Sequence, residues 1–73
     1  MANLKTLFGK NLRKIRRRKD LTQEKLAETL GVSVEFVSNM ERGVNAPSFE
    51  TIEKIAQAFD LSAAQLFDFE EDR

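Results

Sequence analysis

The sequence predicts an all-α fold, a compact five-helix bundle, on three observations. Apolar residues recur at spacings of three and four. A Ser or Thr stands immediately ahead of four of the apolar series. No stretch sustains the alternation of apolar and polar residues, enriched in β-branched types, that marks a strand. Seventy-three residues make one domain, near the lower size at which burial alone offsets chain entropy.

The elements follow in order. Leu4, Leu7, Phe8, Leu12 and Ile15 fall on one stripe of a first helix over about 4–19. Three later starts share one local pattern: an apolar residue, then Ser or Thr, then an apolar residue four positions on. They are Leu21, Thr22 and Leu26; Val32, Ser33 and Val37; and Leu61, Ser62 and Leu66. In each, the hydroxyl accepts from an orphan backbone N–H while the apolar pair clamps the chain's entry as a hydrophobic staple. These starts predict helices over about 23–30, 34–42 and 63–67. Ser48 after Pro47 opens the remaining helix, 49–59, with Ile52, Ile55, Ala56 and Phe59 on its stripe. Gly31 and Gly43 end the second and third helices, where a left-handed residue is favoured. One inward stripe per helix predicts a core of Leu7, Leu12, Ile15, Leu26, Ala27, Leu30, Val37, Met40, Ile52, Ile55, Ala56, Phe59 and Leu66. Residues 1–67 are expected to form the domain, and 68–73 a short acidic tail.

Composition narrows the function. The chain has no Cys and no His, so it lacks disulfides and the usual zinc ligands. Neither a phosphate-cradling Gly loop nor a metal-ligand cluster is present, which argues against an enzyme and predicts no cofactor and no metal. No apolar run has the length of a membrane span or the placement of a signal peptide; a soluble, cytoplasmic protein is expected. Twelve cations balance twelve acids, but the distribution is uneven. Lys5, Lys10, Arg13, Lys14, Arg16, Arg17, Arg18 and Lys19 all lie in the first 19 residues, with no acid among them, whereas the last six residues hold four acids. A basic first helix suits phosphate, although a solvated charged face would read the same way.

Only Gly31, Val32 and Ser33 join the second and third predicted helices, the short Gly-containing turn of a helix-turn-helix unit. That turn holds the third helix across the second with one face outward, at a diameter that fits a DNA major groove. The stretch from Leu21 to Phe67 closely resembles the phage repressor and Cro family of regulators, also called the XRE family. The matching residues are TQ and LA in the second helix, GVS in the turn, VSNMERG at the end of the third helix, PS before the fourth, and the IA, AF and L of the closure. Ile15 and Arg16 fit the family's first helix as well.

The resemblance implies a lambda repressor-like DNA-binding domain and a sequence-specific, repressor-like transcription regulator that binds double-stranded DNA. By position it makes Val34, Glu35, Ser38 and Asn39 the base-reading residues and Gln23 a phosphate anchor. Phosphate contacts are also expected from Thr22, Ser33, Arg17, Arg42 and Asn45. A helical wheel with Val37 and Met40 inward independently places Glu35, Ser38, Asn39 and Arg42 outward and Val34 at the edge. Asn39 can donate and accept at once, as an adenine edge requires; Ser38 can do either; Val34 can touch a thymine methyl. Glu35 is useful only if it accepts from cytosine or pairs with a neighbouring Arg or Lys. The resemblance also pairs Arg16 with Glu41 as a partly buried salt bridge that orients the third helix.

After Gly43 the family often carries basic residues, but here stand Val44, Asn45 and Ala46. With zero net charge, this predicts modest affinity for a single copy and homodimers on paired half-sites. Phe67 and Phe69 either contact a second copy or close the core. Two other readings stay open: a protein-binding module on a helix-turn-helix scaffold, favoured by the neutral charge and the non-basic loop, and the DNA-binding half of a larger regulator.

Overall fold

A computed structural model describes residues 3–69. Over these the chain forms five helices and no strand: α1 (Leu4–Arg18), α2 (Gln23–Leu30), α3 (Val34–Glu41), α4 (Phe49–Phe59) and α5 (Ala63–Leu66). The expected ends of the first, third and fifth helices each lie one residue further. Lys19, Arg42 and Phe67 are the cap residues, half inside their helices. No helix among the described residues is long and apolar enough to cross a membrane.

All five helices begin with a side-chain cap. Asn3 Oδ1 accepts from Thr6 N at 2.9 Å, while Thr22, Ser33, Ser48 and Ser62 accept from the backbone N–H three residues on at 3.0–3.2 Å. In α5 the Gln65 side chain returns the bond, accepting from Ser62 N at 2.9 Å, so the cap is reciprocal.

Four helices also end alike. Asp20, Gly31, Gly43 and Asp60 have φ of 58°, 73°, 77° and 56°. At each, the next residue's N–H donates to the carbonyl five positions back: Leu21 to Arg16 at 3.1 Å, Val32 to Ala27 at 3.0 Å, Val44 to Asn39 at 2.9 Å and Leu61 to Ala56 at 2.9 Å. This is the Schellman closure, which satisfies carbonyls that have no partner inside the helix. Gly31 and Gly43 act as expected, and two aspartates do the same work at α1 and α4. Leu21, Val32 and Leu61 therefore serve twice, closing one helix and stapling the next, and all three pack against the core.

The core comprises Phe8, Leu12, Ile15, Leu26, Ala27, Leu30, Val37, Met40, Ile55, Ala56, Phe59 and Leu66. Two expected members differ. Leu7 is only half-buried and Phe8 takes its inward place, because α1 presents the 8, 12, 15 line to the bundle. Ile52 is half-buried at the core's margin, and Leu4, on the same predicted stripe, is 60% exposed. Phe67 stacks on Phe8 at 5.2 Å between centroids, with Phe69 against Phe67 at 6.2 Å, so both contribute to closing the core.

α3 packs against both α1 and α2. Gly9 of α1 permits the approach: a Cβ there would lie 2.3 Å from Met40 O and 2.8 Å from Glu41 O. Asn11, buried on the same helix, donates to Leu66 O at 2.7 Å and Gln65 O at 3.3 Å, and so satisfies the end of α5.

Candidate nucleic-acid interface

The interface begins with the buried pair that fixes α3. Arg16 Nε donates to Glu41 Oε2 at 2.6 Å and its Nη2 to Glu41 Oε1 at 3.1 Å, a bidentate contact, while Nη1 donates to Leu21 O at 2.6 Å. One guanidinium thus joins α1, the entry to α2 and the end of α3. Gln23 Nε2 donates to the same Glu41 Oε1 at 3.0 Å. Gln23 keeps its second N–H and its carbonyl oxygen, so Glu41 orients the amide without using up its capacity.

Thr22 and Ser33 are exposed, and each uses an oxygen lone pair to cap its helix. Their O–H groups remain available to donate outward, beside backbone N–H groups and the partial positive charge of the helix ends. Both helices of the unit therefore present an anion-compatible start.

On α3, Val34 is 39% exposed, Glu35 and Arg42 are exposed, and Ser38 and Asn39 are half-buried. Val37 and Met40 are buried, as the wheel requires. Arg42 Nη2 donates to Asn39 Oδ1. That bond holds the amide in one orientation, leaving its NH₂ and the second oxygen lone pair for a base edge. Glu35 makes no ion pair with Arg or Lys among the described residues. It stands in the first turn of α3, where the helix dipole stabilises an acid. Asn45 N donates to Asn39 O at 3.3 Å, which folds the loop back on the end of α3.

Arg13, Arg16, Arg17, Gln23, Ser38, Glu41 and Arg42 line one concavity between α1, α2 and α3. Arg17, Gln23, Ser38 and Arg42 are thereby brought together, with Asn39 joined through Arg42 and Asn45 through Asn39. Thr22 and Ser33 lie at the two helix starts, and Val34 and Glu35 follow Ser33 in the first turn of α3. Arg13 is the addition: it belongs to the basic run, and its place four residues before Arg17 on one helix face was the available signal. Among the described residues there is no cluster of three or more His, Cys, Asp or Glu that could hold a metal.

A helix-turn-helix family model matches residues 12–66. The control protein C.BamHI of Bacillus amyloliquefaciens is 38% identical over 68 residues, covering 92% of this chain and 84% of the relative. The cryptic phage CTXphi transcriptional repressor RstR of Vibrio cholerae is 33% identical over 60 residues, 82% of this chain and 54% of that protein. Among solved structures, the restriction-modification controller protein C.AhdI from Aeromonas hydrophila superposes with a TM-score of 0.81 at 39% identity, covering 85% of this chain and 94% of that one.

Proposed function

This chain belongs to the XRE-type helix-turn-helix family of DNA-binding transcription regulators, and from that premise we propose that it reads a specific operator with α3, as a homodimer. Val34, Glu35, Ser38 and Asn39 face the base edges, and Thr22, Gln23, Ser33, Arg17, Arg42 and Asn45 hold the backbone. The observation that carries this is the concavity in which Arg17, Gln23 and Arg42 adjoin the outward face of α3. It supplies positive charge and neutral donors beside a polar reading surface, so anchoring and reading are adjacent. Arg16 and Glu41 position rather than contact.

A formal net charge of zero weakens long-range attraction, and two copies on one duplex restore avidity. The RstR relative is a transcriptional repressor, which supports a repressor-like outcome, and a DNA partner gives the protein its place in the cytoplasm.

The test is a gel-shift titration with a duplex selected from a random pool, against a scrambled duplex, at about 50 and 200 mM salt. The selected duplex should bind more tightly, with log affinity falling by roughly 0.9 per log salt for each phosphate contacted. Equal binding of the two duplexes, or affinity indifferent to salt, would refute the proposal and favour a protein-binding module.

A further inference from the structure

One surface is used neither by the core nor by the DNA face. Phe49, the first residue of α4, is 86% exposed, and Leu4 is 60% exposed. Both border an apolar groove formed with Phe8, Pro47, Ile52 and Phe67, which Lys5 also lines. An exposed aromatic beside an apolar groove is an anchor next to a receptor.

We propose that this groove is where two copies of the chain associate, each inserting Phe49 into the other's groove about a two-fold axis. The proposal rests on the dimeric reading above and assigns it a surface. A two-fold contact must be self-complementary, with residue i meeting j and j meeting i, and a surface carrying both anchor and receptor meets that condition. The charges agree. Lys5 lies in the groove and Glu50 follows Phe49, and neither is ion-paired among the described residues. Inserting Phe49 brings Glu50 toward the partner copy's groove, so the symmetry creates two reciprocal Lys5 to Glu50 contacts. A second copy thus offers both the apolar anchor and the opposite charge. None of the groove residues belongs to the proposed DNA face, which leaves α3 free in the dimer.

The test is sedimentation of the full chain with and without its selected duplex, on wild type and four variants. Wild type should self-associate, and Phe49→Asp should sediment as a monomer with an unchanged helical circular dichroism spectrum, since the replaced ring is exposed. Lys5→Glu and Glu50→Lys should each weaken association, by roughly tenfold, by placing like charges together. The double variant Lys5→Glu with Glu50→Lys should recover most of the loss. If Phe49→Asp dimerises like wild type, or the double variant is no better than either single one, the assigned surface is wrong although dimerisation stands. If wild type is monomeric both free and on DNA, the surface and the dimeric reading fall together, while reading by α3 is untouched.

Discussion

Asn39 and Arg17 differ in what their positions let them sense. Asn39 stands on the outward side of α3 with its carbonyl oxygen held by Arg42, whereas Arg17 projects from α1 into the flank of the same concavity. Asn39→Ala should therefore cost roughly 1–3 kcal/mol on the selected site and relax preference at one base pair. Arg17→Ala should weaken all duplexes about equally and lower the salt slope by about one contact, both being read by gel shift over a panel of sequences. The reverse pattern would remove α3 from the reading role. Gly9 gives a stability prediction. Its missing Cβ would collide with the backbone carbonyls of Met40 and Glu41, which cannot rotate away, so Gly9→Ala should cost about 2 kcal/mol or more, measured by urea unfolding. The base-reading set could be named from the sequence because a helical wheel needs only one helix. Gly9 and Asn11 could not, because their partners lie 31 or more residues away and nothing local marks them.

At the scale of the element, the helix starts were the most legible feature, since a capping hydroxyl and its staple lie within five residues of one another. The helix ends were half legible. Gly31 and Gly43 announce a left-handed residue, but Asp20 and Asp60 adopt the same conformation under a residue type that occurs as often on helix surfaces and in first turns. The two kinds of closure should respond oppositely to mutation. At Gly31 a Cβ would meet nothing within 4 Å, so Gly31→Ala should cost about 1 kcal/mol from backbone conformation alone. Asp60→Gly should be neutral or stabilising by up to about 1 kcal/mol, because glycine adopts that φ without strain. Thermal melts of the two variants would show the opposite signs. Leu7 and Phe8 mark a further limit: adjacent apolar residues lie 100° apart on a helix, and only the direction of α3 decides which one faces it.

For the whole molecule, dimension links the domain to its site. The described residues span 31 × 24 × 22 Å, so two copies in contact can present their reading helices about one helical turn apart, roughly 34 Å. Footprinting on a selected duplex should then show two protected half-sites with that spacing and two protein copies per duplex. One protected half-site with one copy would show that a single domain suffices. Charge is distributed on the same scale. The basic run belongs to α1, which carries Arg13 and Arg17 into the proposed interface, and so a chain of zero net charge still has a positive side.

The connectors made of Asp20 with Leu21, Gly31 with Val32, and Asp60 with Leu61 contain no slack. Their left-handed residue ends one helix, and their apolar residue belongs equally to the helix before and the helix after. An inserted residue would separate those two duties, leaving either a carbonyl without its donor or a cap without its staple. Length in this chain is therefore quantised across three of its four junctions. Insertions can be absorbed between Gly43 and Ser48, where the chain runs five residues from a closed helix to the next cap, and a library of random single-residue insertions should recover folded members there.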